Sequence, residues 1–286
     1  MIVQMSDLGD NGRFGNQIFQ FFFLKMVEQA LACEIRCPYW DGIGLFDLQP
    51  TAAIEASPEA VDLEPMTSRS RGPQEQLDFL KNALQVSERQ LVDIKGYFQY
   101  HTVFFQQHRN LFLETFSVRP LFIDQVRQAL ARIGMQDKFV IGVHVRRGDY
   151  LQFDNKHPLF WGSSAASIRA AIDDLGASSL RNAIIYVCSD DLDYARDIFQ
   201  GYGVPVITNR QLFSQSSEFS DLAVDFVMLT LAKALLISNS SLSFVASMLN
   251  TACRINLRPC PREDKFIPFD PWNSHVILPR HPHQFI

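Results

Sequence analysis

The run His144-Val145-Arg146-Arg147-Gly148-Asp149-Tyr150 closes an apolar segment, FVIGVHV, that reads as a buried strand. In open α/β sheets ligands sit beyond the carboxyl ends of strands, so a histidine, two arginines and an aspartate arriving there together are candidates for chemistry. Side chains alternate across a strand, which puts His144 and Arg146 on one face and Arg147 and Asp149 on the other. The expected division of labour is that Arg146 binds a diphosphate through its planar fork of donors, while Arg147 and Asp149 pair to brace the loop. A structural ion-pair cluster would have the same composition. His144 taken alone is more often a satisfied core histidine.

Two further segments carry groups of this kind. Gly12-Arg13-Phe14-Gly15-Asn16-Gln17 falls between a short strand candidate, MIVQM, and an apolar stretch of helical length. Glycines there allow a tight turn, and the helix start offers N–H groups to an anion or a sugar oxygen. The spacing of Gly9, Gly12 and Gly15 is not G-x-G-x-x-G and no Gly-Lys-Ser/Thr follows, which excludes the usual dinucleotide and P-loop signatures. A glycine turn without a ligand fits equally well. In the segment from Asp221 to Asn250, Ser220 or Asp221 can cap a very apolar helix in which Asp225 is an anomaly. A carboxylate there needs donors, and guanine offers N1–H and an exocyclic amine that match one carboxylate. An exposed or Arg-bonded aspartate is the commoner alternative. Ser238-Asn239-Ser240-Ser241 precedes the next helix, where hydroxyls and amides can hold phosphate or simply cap.

Cys188-Ser189-Asp190-Asp191 ends another strand, and Asp190 or Asp191 is first of all a helix N-cap. Such an acidic pair can also hold a divalent cation on a diphosphate. With Arg146 and a helix N-terminus available to neutralise a leaving group, a cation is unnecessary, and no metal is expected. His281 and His283 in the tail specify no metal site.

The elements that must position these groups alternate. MIVQM is followed by a helix over Phe14 to Ala32 and a strand over Cys33 to Cys37, while Pro38 to Pro73 lacks periodicity and reads as irregular and acceptor-facing. A strand near Val92 to Phe98 and helical patterns from His101 to Phe116 complete a first domain, 1–118. Arg119-Pro120 opens the second, 119–286. It contains helices over Arg127 to Ile133, Ser163 to Leu175, Leu192 to Phe199, Asp221 to Lys233 and Leu242 to Asn250. Its strands are Phe139 to Val145, Ala183 to Ser189, Val204 to Ile207 and Ala234 to Ile237. This alternation predicts βαβ units and parallel sheets, drawn as two α/β domains with a ligand cleft between them.

Composition narrows the partners. The 286 residues are 47% hydrophobic and 20% charged, with 24 Phe for a core. A formal charge of -5 gives no global field for nucleic acid or an anionic membrane, so a phosphate must be met by local groups. Five Cys without paired spacing fit reduced thiols in a cytoplasmic protein. No run reaches the roughly 18 apolar residues of a membrane span, which leaves peripheral membrane contact as the form of membrane association to consider.

GRFGNQIFQF, HVRRGDY and DFVMLTLAKALLISNSSLS with the following LN, in this order and spacing, resemble the α-1,2-fucosyltransferase family, family 11 of the glycosyltransferases. GRFGNQ is also similar to the corresponding loop of protein O-fucosyltransferases. The resemblance implies a GT-B-like architecture of two Rossmann-like domains, the first on the acceptor side and the second binding the GDP-sugar. It further implies inverting, metal-independent transfer of L-fucose from GDP-β-L-fucose to an acceptor hydroxyl, the 2-OH of a terminal β-galactoside, with no cofactor beyond the donor. It gives Arg146 the diphosphate, His144 the lining of the donor site, Asp225 the guanine, and Ser240 and Ser241 the phosphate, with Asn239 in the donor-binding set and Asn16 near the reacting sugar. Where relatives commonly have Phe-Ser-Trp-Trp, this chain has Leu242-Ser243-Phe244-Val245.

On this reading Arg146, with the groups around Ser240 and Ser241, stabilises the departing diphosphate. Asn16 cannot ionise and is a positioner, while Asp7, Asp10 and Asp149 are unranked candidate bases, with a departing phosphate oxygen as a further proton acceptor. The rival readings are a fucosyltransferase for another acceptor, a transferase using another GDP-sugar, and a GDP-sugar-binding module without turnover.

Overall fold

The computed structural model describes residues 1–49, 51–55, 61–63, 72–86, 91–153, 157–213 and 220–280. His281 and His283 lie outside the described residues. The chain divides into two compact units, Met1–Ser117 with Trp272–Val276, and Val118–Pro271 with Ile277–Ile286.

The first unit runs β1 (Ile2–Gln4), α1 (Phe14–Leu31), β2 (Glu34–Arg36), α2 (Asp41–Leu45), β3 (Val61–Asp62), α3 (Gln74–Val86), β4 (Leu91–Lys95), a 3₁₀ segment (Thr102–His108) and α4 (Arg109–Thr115). Its sheet has the order β2-β1-β4-β3, with every neighbouring pair parallel. α1 is apolar on most faces because most faces are covered. Phe22 meets Phe105 and Phe112 edge-on with centroids 5.3 and 4.8 Å away, Phe21 lies 5.4 Å from Trp40, and Phe23 stacks on Phe98 at 4.0 Å. Burying each such ring contributes about 1.5–3 kcal/mol, so this aromatic cluster is what fixes α1 against its neighbours.

The segment Trp272–Val276 returns to this unit from far along the chain. Phe112 meets Trp272 edge-on at 5.5 Å, the Arg109 guanidinium lies 5.0 Å from its ring, and Gln106 Nε2 donates to its carbonyl. Thr102 and Ser274 exchange backbone and side-chain bonds of 2.9 to 3.0 Å. The division into 1–118 and 119–286 read from sequence therefore omits a second crossing of the chain.

The second unit runs α5 (Pro120–Arg132), β5 (Phe139–Val145), a 3₁₀ turn (Gly148–Phe153), α6 (Ala165–Asp173), α7 (Ala177–Leu180), β6 (Ala183–Ser189), α8 (Leu192–Ile198), β7 (Val206–Ile207), α9 (Asn209–Leu212), α10 (Asp221–Leu231), β8 (Ala234–Leu236), α11 (Ser241–Leu249), β9 (Ile255–Pro259) and β10 (Phe266–Pro268). The sheet order is β10-β9-β8-β5-β6-β7, parallel throughout except for the β9–β10 hairpin. Both faces are covered, which is why β5 and β6 are continuous apolar runs. Ile141, Val143 and Val145 pack with Ile168 and Ile172 of α6 and with Ala195 and Ile198 of α8. On the opposite face α10 comes so close to β5 that a Cβ on Gly142 would lie 3.0 Å from Ala232 Cβ.

β5 and β8 are neighbours, yet the chain leaves β5 toward β6 on one side and β8 toward β9 on the other. The strand order reverses between them, and at such a point the connections diverge and leave a crevice at the carboxyl ends.

Candidate active site

The end of β5 and the segment after β8 meet at the second unit's switch point. Val143 and Val145 turn toward α6 and α8, and alternation sends His144 to the other face. There His144 Nδ1 lies 2.8 Å from both Ser243 Oγ on α11 and Ser238 Oγ after β8. Burial, reinforced by the Arg146 charge, lowers the imidazole pKa to about 4, so the ring is neutral at physiological pH.

Arg146 follows, with its guanidinium 5.2 Å from the Tyr150 ring centroid. One terminal nitrogen bonds Asp190 and the other Asp149. The side chain is only 12% exposed, so the two carboxylates fix the orientation of its fork while offsetting its charge. This corrects the pairing expected from sequence. Asp149 braces Arg146, whereas Arg147 pairs with Asp191 at 3.1 Å and lies 3.6 Å from the Tyr194 ring centroid. The strand geometry ends at Val145, so the alternation that would have put Arg147 beside Asp149 ends with it.

Asp190 and Asp191 each have partners within the protein. Asp190 Oδ1 accepts the N–H groups of Arg147 and Gly148 at 2.8 and 3.1 Å while its other oxygen takes Arg146. Asp191 caps α8 by accepting the Tyr194 N–H at 3.0 Å. Gly148 is glycine for a steric reason, since a Cβ there would lie 2.5 Å from Asp190 Oδ2. Among the described residues no group of three or more His, Cys, Asp or Glu could hold a metal ion.

The β8 side supplies the rest. Tyr150 OH donates to the Asn239 carbonyl at 2.9 Å and so ties the two loops together. The Asn239 side chain, read from sequence as part of the donor-binding set, is occupied on all sides. Its amide donates to the Leu159 and Leu278 carbonyls and its oxygen accepts the Leu278 N–H, each at 2.9 Å. Ser240 is the N-cap of α11 and makes no side-chain capping bond. Ser241 opens the helix, whose leading N–H groups stand outside its hydrogen-bond ladder. Asp225, half-buried on α10, accepts from Tyr186 OH at 2.5 Å and from the Cys188 thiol. Burial raises its pKa to about 7. Cys188 is paired in register with His144, so this cluster adjoins the same strand ends.

Beside Arg146 opens a cavity of about 540 Å³ walled by Arg147, Tyr150, Trp161, Tyr194, Arg262 and Arg280. The β9–β10 turn and the residues around Trp161 that form it carried no periodic or motif signal in sequence. Ser238 and Ser243 were also missed as partners of His144, although both lie inside the serine-rich block.

Asn16 belongs to the first unit, and the other six predicted site residues belong to the second. Asn16 Oδ1 accepts from Gln99 Nε2 at 2.6 Å. Gly12 has φ +90, and a Cβ there would meet Asn16 Nδ2 at 2.5 Å, so only glycine fits on both counts. Gln17 bonds the Gly9 and Gly12 carbonyls, and Gln20, unremarked in sequence, joins Asn11 after β1 to Gly96 after β4. Among the three candidate bases, Asp10 is exposed and Asp149 is held by Arg146. Burial raises the Asp7 pKa, and its Oδ1 is buried without a hydrogen bond among the described residues.

The sequence profile of Glycosyl transferase family 11 matches residues 74–268. The chain belongs to this family. The resemblance read from the motifs is thereby borne out, and the chain is a glycosyltransferase by family. The matched range includes HVRRGDY and the serine-rich block but not the Gly12–Gln17 loop. No curated protein matches the chain in sequence. Among solved structures, POFUT1 in complex with GDP-fucose has a TM-score of 0.59 at 13% identity, covering 90% of this chain and 97% of that one. The fucosyltransferase NodZ from Bradyrhizobium scores 0.57 at 12% identity, covering 94% and 98%. A variant of Arabidopsis thaliana FUT1 in complex with GDP scores 0.52 at 11%, covering 92% and 71%. At these identities the likeness is one of fold, and it bears out the GT-B-like α/β class. Among the described residues no helix is long and apolar enough to cross a membrane.

Proposed function

We propose that this glycosyltransferase transfers L-fucose from GDP-β-L-fucose, with inversion and without a metal, to a hydroxyl of a galactose-containing glycan, the 2-OH of a terminal β-galactoside. The observation that carries the reading is Arg146 held by Asp149 and Asp190 at the end of β5, with α11 starting at Ser241 after the neighbouring strand β8. That arrangement suits a diphosphate, which needs oriented N–H donors at two oxygens more than it needs diffuse charge. Solved structures of this fold in complex with GDP or soaked with GDP-fucose support the choice of donor, and the family motifs support the acceptor.

In the proposed reaction the bond from the anomeric carbon to the diphosphate oxygen breaks as the bond to the acceptor oxygen forms, and the proton of that hydroxyl passes to one of the candidate acceptors, a carboxylate among Asp7, Asp10 and Asp149 or a departing phosphate oxygen. Charge growing on the diphosphate is met by Arg146, the Ser240 hydroxyl and the first amides of α11. Asp225 reads guanine through its carboxylate. The Asn239 side chain is a cross-link in this scheme, and its segment, not its amide, serves the donor. With Asp190 and Asp191 engaged by arginines and amides, charge neutralisation falls to Arg146 and α11, which is the basis for proposing metal independence. The cysteines are all thiols, which fits a cytoplasmic setting.

A second reading has a specific basis: NodZ, which shares the fold, is an α-1,6-fucosyltransferase, so the fold admits more than one linkage. The deciding experiment is GDP release across several GDP-sugars and β-galactoside acceptors, with linkage analysis of the product, in the presence and absence of EDTA. GDP-fucose turnover that survives chelation and yields an α-1,2 linkage is expected. Turnover restored only by magnesium or manganese overturns metal independence, and a different linkage overturns the acceptor.

A further inference from the structure

His144 has two hydroxyl neighbours at Nδ1 and, among the described residues, no hydrogen-bond partner at Nε2. A ring nitrogen offers one in-plane site, either an N–H or a lone pair. Ser243 is fully buried and Ser238 nearly so, and neither hydroxyl has another acceptor among the described residues. If Nδ1 carried the hydrogen, both hydroxyl hydrogens would be left buried without an acceptor. A bare Nδ1 accepts from the two hydroxyls in a three-centre arrangement, and buried donors are satisfied wherever a partner exists. His144 as a residue keeps 5% of its surface exposed, and with Nδ1 occupied, Nε2 is the nitrogen left for a ligand.

The geometry points to Ser238 and Ser243 as positioning residues that hold His144 in the neutral Nε2–H form, making it a fixed hydrogen-bond donor to an anionic oxygen of the bound nucleotide-sugar. The nucleotide as the source of that oxygen rests on the function proposed above; the tautomer does not. The charges that act on the ring are those of Arg146, which opposes protonation, and Asp190, which favours it, and burial outweighs both. His144 is therefore a donor and not a proton acceptor in transfer. Phe244 and Val245, which follow Ser243 on α11, are wholly buried in the core.

Two-bond proton–nitrogen correlation spectra of the ¹⁵N-labelled full chain test this between pH 6 and 8. With seven histidines, the His144 signal is the one lost in His144→Gln. An Nε2–H pattern unchanged across that range is expected, kept in Ser243→Thr and mixed with the Nδ1–H form in the Ser238→Ala/Ser243→Ala double variant. An Nδ1–H or doubly protonated ring in the wild-type protein overturns the assignment, with no variant needed. GDP titration then tests the ligand separately. A shift of the Nε2 proton is expected, and GDP binding that leaves it unmoved overturns the donor role. Absence of any GDP binding instead sinks the proposed function while leaving the tautomer standing.

Discussion

Arg146 and Arg147 are adjacent in sequence but do different work, and their variants should separate by assay. Arg146→Ala removes an oriented donor to developing charge, a loss of about 2.7–4 kcal/mol or a hundredfold to a thousandfold in rate, with little change in melting temperature. Arg146→Lys should not restore activity, because a point charge cannot bond Asp149, Asp190 and a diphosphate in one plane. Arg147→Ala loses a partly exposed pair with Asp191 and its packing on Tyr194, so it should lower stability by about 1 kcal/mol and rate far less. Near-normal turnover of Arg146→Ala refutes this assignment. Asp225 has a pH signature. Its folded pKa of about 7 exceeds the ordinary 3.8, so the folded state holds a proton that the unfolded state has released. Its contribution to stability is therefore lost as pH rises from about 4 to 7 and is flat above. Asp225→Asn should flatten that slope in melting temperatures measured from pH 4 to 8. If the carboxylate reads guanine, GDP affinity should fall below pH 7 more steeply than UDP affinity, whose phosphates titrate alike, and Asp225→Asn should erase the difference in calorimetry. Residue types were legible at this scale, since a carboxylate in an apolar helix and an Arg pair after a strand are visible anomalies. Partners were not, because pairing depends on where β5 stops and on Asp190, 44 residues distant from Arg146.

Elements built from long apolar runs were legible. α1, β5, β6, α8, α10 and α11 fall where periodicity put them, because burial on most faces leaves a continuous apolar signal. Pro38 to Pro73 was read as irregular, yet it contains α2 and β3, pieces too short to show a period. The β9–β10 hairpin, with Pro259 ending β9 and Pro261 and charged residues in its turn, gave no strand signal although it walls the cavity beside Arg146. A connection between elements sets the geometry at the site. The turn after β5 passes against Asp190 so closely that Gly148→Ala would force its carboxylate from the Arg147 and Gly148 amides and from Arg146. The expected result is a fall in kcat on the order of tenfold or more, as for a misplaced catalytic group, with the melting temperature lowered only modestly and Asp190→Asn/Gly148→Ala no worse than Gly148→Ala alone. Additive losses in that cycle would show that Gly148 acts through something other than Asp190.

At the scale of the whole molecule, alternation of strands and helices was enough to foresee two α/β units, and a boundary near residue 118 was marked by Arg119-Pro120. What sequence concealed is that the chain crosses between units again, at 271/272 and at 276/277. Nothing in PWNSH distinguishes a segment that packs with its neighbours from one that packs more than a hundred residues back, because the fit lies in the Phe112 ring and the Thr102 and Gln106 side chains. The first unit is thus incomplete as residues 1–118. Trp272, only 5% exposed, closes its aromatic cluster over Phe112, and removing a buried indole of this kind costs about 3–5 kcal/mol. Trp272→Ala should lower the unfolding free energy from denaturant titration by that amount, and Trp272→Phe, which keeps a ring against Phe112, should lose about half as much or less. The fragment 1–118 should share the defect and unfold without a sharp transition, even though it contains every strand of the first sheet. A cooperative, stable 1–118 fragment, or a Trp272→Ala protein that melts like the wild type, would mean that the returning segment decorates the first unit and does not complete it.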